Sequence, residues 1–242
     1  MNLLTQLLNA TLDYQDFIEN ENTLSDFETD GTPEALTQTA LLIHPLRGDL
    51  HALNGEHTRA MQDAETLRKI TGDTPENMER YITHAINALP PQDALTLTFQ
   101  QAPAEKRDLL LGRAYDVNNQ EEYALQHYQA AYQTAVEAAD ADALAEIASY
   151  YARTERWGAS QEAAEQALQA NPNLPTGLYV LGLNHVNAHR RQAALEAFEL
   201  ALEHGSDTTA TLYQIARNAL ATTNPEKAIA AAEAALLENG SH

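Results

Sequence analysis

Two histidines, His185 and His189, are four residues apart in the stretch GLYVLGLNHVNAHRRQ, and this spacing lets two imidazoles share a metal ion on one helix face. His189 falls at a predicted turn, however, and no third ligand is identifiable near the pair. A second pair, His44 and His51, flanks a proline and is a weaker candidate. The chain has no cysteine, which excludes disulfides and thiolate ligands. The sequence therefore predicts neither a metal site nor a cofactor.

Recognisable catalytic motifs do not occur in the sequence. Nucleophilic catalysis needs a serine or cysteine beside a base, yet the chain has no cysteine and no GxSxG motif. The phosphate-binding patterns GxxxxGK[ST] and GxGxxG are missing too. No pair among the 35 acidic residues can be singled out for acid–base work. We expect that the protein is not an enzyme. Bound metal in the purified protein would instead favour an enzyme or a metal protein that uses the histidines.

Charge and hydropathy narrow the range of partners. The 242 residues carry a formal net charge of −21, which disfavours nucleic acid as a partner because the protein repels polyphosphate at long range. No stretch reaches the roughly 20 apolar residues that a membrane span needs. The first residues contain no basic residue and meet Asp13 early, so they do not resemble a secretory signal. We expect a cytoplasmic protein that interacts with neither membrane nor nucleic acid.

A period of 34 residues organises the second half of the chain. Leu144, Leu178 and Leu212 fall in register at this spacing. Three further sets also align, namely Ile147, Leu181 and Ile215, then Ala148, Gly182 and Ala216, then Ala167, Ala201 and Ala235. Alanine and leucine dominate and aromatic residues make up 6%, which favours helices over strands. Each period therefore predicts two helices joined by a short turn, such as those at 187–189 and 223–225. A helical hairpin must stack on its neighbours to bury its apolar stripe.

This pattern resembles the tetratricopeptide repeat, whose 34-residue unit has a small residue in its first helix and alanines at two positions in its second. The match is strongest over residues 105–242. We count six units, at about 41–74, 75–104 (short and degenerate), 105–140, 141–174, 175–208 and 209–242. The resemblance implies an all-α fold, a right-handed superhelix (α-solenoid) of antiparallel helix pairs.

Residues 1–40 precede this array as an acidic segment. Leucines from Leu3 to Leu12 predict an amphipathic helix, and Pro33 is expected to open another helix that Pro45 kinks or restarts. Eight carboxylates and no lysine or arginine precede Arg47. One hypothesis is that this segment folds back and competes with an acidic ligand.

The resemblance also implies a function. In proteins with this repeat, the first helix of each unit lines the concave side of the superhelix, where a peptide or helix of a partner docks. Carrying those positions over unit by unit gives the partner-binding residues Lys106, Arg113, Arg153, Tyr179, Asn187, Tyr213 and Arg217.

These residue types indicate the chemistry of the partner. Arginine and tyrosine often anchor interfaces, and arginine can hold a carboxylate with two parallel hydrogen bonds. The sequence thus predicts a scaffold or adaptor that binds an acidic or carboxylate-bearing protein segment. The alternative is that the arginines pair with carboxylates of neighbouring repeats.

Two other functions remain open from the sequence. One is a sensor, in which the array closes on a small peptide signal, and the other is assembly with copies of itself. For self-association, we expect the last helix to expose Ala228, Ile229, Ala232 and Leu236, because no later helix covers their stripe.

Overall fold

The computed structural model describes residues 33–206 and 208–240. Within those residues the chain forms twelve α-helices and no strand. The helices are α1 (Pro33–Leu53), α2 (His57–Thr71), α3 (Pro75–Ala88), α4 (Pro91–Gln101), α5 (Arg107–Val117), α6 (Glu121–Ala138), α7 (Ala141–Arg153), α8 (Trp157–Ala170), α9 (Pro175–Asn187), α10 (Arg191–Glu203), α11 (Thr208–Ala221) and α12 (Pro225–Gly240). The predicted all-α class, built from helix pairs, is confirmed.

The chain divides into two compact units, residues 1–124 (unit 1) and 125–242 (unit 2). In unit 1, α1 packs on α2, α2 on α3, α3 on α4 and on α5, and α4 on α5. In unit 2, α7 packs on α8 and on α9, and each later helix packs on the one before it. Within each unit, the second helix of one hairpin thus contacts the first helix of the next, which is how stacked hairpins bury their apolar stripes.

Helix starts follow local capping chemistry. The side chain of Asp140 accepts a hydrogen bond from the backbone N–H of Ala143 at 3.1 Å, and Thr74 caps α3 in the same way. Pro75, Pro91 and Pro175 occupy first-turn positions, where the N–H that proline lacks has no partner inside the helix.

The turns within the hairpins repeat one backbone geometry. Glu155, His189 and Thr223 have φ values of 60°, 58° and 57°, in the left-handed region. In the first of these turns, Arg156 N–H donates to the Tyr151 carbonyl at 2.8 Å and Glu155 N–H donates to the Ala152 carbonyl at 3.1 Å. This pair of bonds is the Schellman ending, which satisfies carbonyls at the end of a helix. The predicted turns at 187–189 and 223–225 have the same geometry.

Residues that the period aligns are largely buried. Leu144, Leu178 and Leu212 lie in the core, and so do Ile147 and Ile215. The small residue of the repeat at 175–208 lets two helices approach closely, because a Cβ added at Gly182 would lie 2.5 Å from Cε1 of the buried Phe198 ring. The 34-residue spacing is therefore a packing period.

The first helix begins at Pro33, as predicted, but it continues through Pro45 without a second start. It also crosses the boundary expected between residues 40 and 41. Residues 1–32 of the acidic segment, including its predicted amphipathic helix, lie outside the described residues. Among the described helices, none is long and apolar enough to cross a membrane.

Candidate protein-interaction surface

The predicted basic residues of unit 1 are engaged with neighbouring side chains. Lys106 Nζ lies 3.5 Å from a carboxylate oxygen of Glu79, in the preceding hairpin. Arg113 donates to Thr83 Oγ1 at 2.5 Å and lines a cavity of about 470 Å³ that also contains the carboxylates of Glu76 and Glu79. Both contacts reach across to α3, so these two residues fit the alternative in which basic side chains tie adjacent hairpins together.

Three predicted residues lie on α7 and α9 of unit 2. Arg153 is exposed at the end of α7, with its guanidinium carbon 5.5 Å from the centre of the Tyr150 ring. Asn187 is exposed at the end of α9. Tyr179 is half-buried, and its ring centre lies 5.4 Å from that of Phe198. Tyr179 therefore contributes to the core as well as to the surface.

The remaining two predicted residues form an exposed stripe on α11. Tyr213 is 60% exposed, Arg217 is exposed, and Leu220, one turn further along, is 68% exposed. Spacings of i, i+4 and i+7 place the three side chains on one helix face. Arg217 makes no hydrogen bond or ion pair with the residues that the structure describes. We define Tyr213, Arg217 and Leu220 as the α11 stripe.

One expectation for the last helix is wrong. Ala228 was expected to be uncovered, but it is buried in a cluster with Leu212, Ile215 and Ala219. The reason is that α12 turns this residue towards its own hairpin partner, α11. Ile229 and Leu236 are 58% and 72% exposed, and Ala232 is exposed as well.

The histidine pair in the opening sequence motif has no shared site. His185 is half-buried on α9, and burial lowers the pKa of its imidazole. His189 is exposed and sits in the turn with φ 58°. Among the described residues there is no group of three or more His, Asp or Glu side chains that could hold a metal ion.

A buried polar cluster in unit 1 includes the second histidine pair, His44 and His51. His44 Nδ1 lies 3.2 Å from Oδ1 of Asp63, and Arg47 Nε donates to the same oxygen at 2.8 Å. His51 Nε2 lies 3.8 Å from Oδ2 of Asp63, and its Nδ1 lies 2.7 Å from Glu56 Oε2. Burial raises the pKa of the Asp63 carboxyl, but the hydrogen bonds from His44 and Arg47 outweigh it and hold the pKa below its ordinary value. This cluster joins α1 to α2 and works as a structural clamp.

Buried polar links between hairpins were not predicted from the sequence. Asn184 Nδ2 donates to Ser160 Oγ at 2.9 Å, and Ser160 Oγ donates to the Ala148 carbonyl at 3.0 Å, so one chain of bonds joins α7, α8 and α9. One period later, Arg191 donates to Asn218 Oδ1 at 3.1 Å and joins α10 to α11. The recurrence of asparagine at positions 184 and 218 is the signal that would have found these links.

Comparison with known proteins gives structural matches alone. No protein-family model matches the chain, and no curated protein matches it in sequence. Among solved structures, MamA MSR-1 aligns with a TM-score of 0.53 and 17% identity, over 69% of this chain and 98% of that one. PilF of Pseudomonas aeruginosa aligns with a TM-score of 0.56 and 12% identity, over 81% of this chain and 90% of that one. A human IFIT1 dimer with PPP-AAAA aligns with a TM-score of 0.63 and 16% identity, over 92% of this chain and 55% of that one. All three contain tetratricopeptide repeats.

Proposed function

Because the chain has the tetratricopeptide-repeat fold, we propose that it is a protein–protein interaction module that binds a segment of a partner protein on the α11 stripe. The observation that carries this proposal is the exposed alternation of aromatic, cationic and aliphatic side chains at Tyr213, Arg217 and Leu220. Exposing large apolar side chains to water is unfavourable, so the free energy falls when a partner covers them.

The chemistry of the stripe defines the partner segment. Arg217 has its donors available for a carboxylate, which it can hold with two parallel hydrogen bonds. Tyr213 and Leu220 offer apolar area on either side of that charge. Half-buried Tyr179 and Leu183 lie one period earlier on α9 and extend the apolar area. The partner segment therefore carries an acidic side chain or a free carboxylate flanked by apolar side chains.

The test is a comparison of variants in capture from a lysate of the source cell. Arg217→Glu and Tyr213→Ala should each lose a protein that the wild type captures, whereas Arg217→Lys should weaken capture because lysine cannot form the bidentate pair. Arg190→Glu is a matched control with the same charge change at an exposed position in the turn before α10. Equal capture by wild type, Arg217→Glu and Tyr213→Ala would contradict the proposal, provided that the circular dichroism spectra agree.

A second candidate function is self-assembly through α12, and one register relationship favours it. Leu195, Phe198 and Leu202 on α10 pack in the core cluster that Leu212 and Ile215 of α11 complete. The residues one period later on α12 are Ile229, Ala232 and Leu236, and these are exposed. Elsewhere in unit 2, the first helix of the next hairpin covers the corresponding stripe. On α12, a second copy of the chain would bury it.

Sedimentation velocity tests this second candidate. Ile229→Glu should shift a self-associating wild type towards monomer, because the charge would have to be buried in the contact. Ala230→Glu places the same charge on the neighbouring exposed position and is the control. Many specific contacts have a Kd in the roughly micromolar range. A wild type that stays monomeric at about 100 µM would therefore refute self-assembly.

A further inference from the structure

An aromatic groove lies on unit 1 between α4, α5 and the start of α6. Its volume is about 480 Å³, and its lining includes Gln92, Phe99 and Gln100 on α4, Tyr115 on α5, Gln120 directly before α6, and Tyr123 in the first turn of α6. The groove borders the short, degenerate repeat at 75–104. The second helix of this repeat, α4, has 11 residues, whereas α6 has 18. We call these six residues the aromatic groove.

Three aromatic rings dominate this groove. Phe99 is 69% exposed and Tyr123 is 54% exposed, and the rings of Tyr115 and Tyr123 stack with their centres 5.2 Å apart. Phe99 and Tyr123 are thus large rings held at the surface of one concave feature. Their exposed surfaces are available to contact flat apolar groups of a ligand.

The groove is also free of charge. Every residue that lines it is uncharged, although one residue in five of this chain is charged and the net charge is −21. The lining itself offers no counter-ion to a charged ligand, so it favours a neutral one. The polar groups of the lining are three glutamine amides, the Thr96 hydroxyl and two tyrosine hydroxyls, and the amides can donate hydrogen bonds to carbonyl oxygens.

We propose that the aromatic groove binds a neutral, proline-containing extended segment of a partner protein. Prolyl rings stack on aromatic faces, and the carbonyls of an extended segment can accept hydrogen bonds from the amides of Gln92, Gln100 and Gln120. Proline has no N–H, so such a segment needs few hydrogen-bond acceptors, and the side-chain oxygens of the three glutamines can serve the N–H groups that remain. The segment is already extended when free, which lowers the entropy cost of binding. This site is separate from the α11 stripe and does not rest on its function.

Selection of peptides on the full-length chain tests the proposal. The probe is a phage-displayed library of random peptides roughly ten residues long, with Phe99→Ala/Tyr123→Ala protein used to remove peptides that bind elsewhere. Both substituted side chains are mostly exposed, so the double variant should fold, and its circular dichroism and urea midpoint verify this. The peptides that survive should be rich in proline and poor in charged residues.

Fluorescence polarisation of the best peptide then measures the effect. The double variant should bind it roughly tenfold or more weakly, since two aromatic anchors are lost. The Tyr213→Ala variant, which removes an equally exposed ring from the α11 stripe, should bind it unchanged. Affinity should stay constant between about 50 and 500 mM salt because no charges are paired.

Three results would overturn the proposal. The first is a failure to recover any peptide that depends on Phe99 and Tyr123. The second is recovery of groove-dependent peptides that are charged or lack proline. The third is binding of a neutral oligosaccharide such as cellohexaose that is lost in the double variant, which would assign the aromatic groove to carbohydrate instead.

Discussion

Glu155 and His189 lie one 34-residue period apart and adopt the same left-handed backbone conformation, with φ values of 60° and 58°. Each ends the first helix of its hairpin and sets the direction in which the second helix leaves. Neither is glycine, so each position carries the steric cost of a Cβ in the left-handed region. The repeat is therefore maintained by backbone hydrogen bonds and packing that overcome this local cost.

Glu155→Gly should stabilise the protein by about 1 kcal/mol, because glycine adopts this conformation without the Cβ penalty. The measurement is the urea midpoint followed by circular dichroism. Gly205→Ala is the opposite control: Gly205 has φ 91° and open space around its Cα, so alanine should cost about 1 kcal/mol through backbone strain alone. A lower midpoint for Glu155→Gly would show that the glutamate side chain stabilises the turn by more than the strain it imposes.

Gly182→Ala should destabilise the protein by about 1–3 kcal/mol, because the new methyl group would overlap the buried Phe198 ring. Combining it with Phe198→Leu should recover part of that loss, since the smaller side chain leaves room for the methyl group. A double-mutant cycle by urea unfolding measures the coupling. Additive losses in the cycle would mean that the two helices separate instead of clashing.

Asp63→Asn should destabilise the protein by roughly 3 kcal/mol, because it leaves the partly buried Arg47 and the buried His44 without a carboxylate. The folded pKa of Asp63 lies below its ordinary value of 3.8. Its contribution is therefore complete above that pH and is lost as the pH falls through the folded pKa. Urea unfolding should show the variant approaching wild type as the pH falls.

The control for this prediction is Asp49→Asn. Asp49 also pairs with an arginine, Arg80, at 2.6 Å, but its side chain is half exposed. Solvent screens such a pair, so the loss should stay below about 1 kcal/mol. Equal losses from the two substitutions would contradict the structural role assigned to the buried cluster.

His84 should make unit 1 less stable at mildly acid pH. Burial lowers the pKa of this imidazole in the folded protein, and the neighbouring Asp49 carboxylate opposes the shift only in part. The stability associated with neutral His84 is present above the ordinary pKa of 6.5 and is lost as the pH falls through the folded value. Urea midpoints of wild type should therefore drop between about pH 7 and pH 5, and those of His84→Leu should drop less. Parallel profiles for the two proteins would mean that other groups account for the pH dependence.

The architecture of the second half follows from spacing in the sequence. Leu144, Leu178 and Leu212 recur every 34 residues, and periodic burial requires a repeated helix pair because a single hairpin cannot cover its own stripe. Turns were predictable at 187–189 and 223–225 because helix-disfavouring residues interrupt the apolar pattern there. The burial of Ala228 was not predictable from this pattern, because the pattern identifies the apolar stripe of α12 without showing which of its residues face α11.

The sequence by itself determined the helical class, the repeat and the positions of most turns, because these depend on local propensity and on the period of apolar residues. Only the tertiary structure decided which basic side chains are engaged: Lys106 and Arg113 contact residues of α3, whereas Arg217 lies exposed on α11. It also decided that Phe99, Tyr115 and Tyr123 share one groove. These outcomes depend on how neighbouring helices are placed, and a contact between residues far apart in sequence leaves no periodic signal in a single chain.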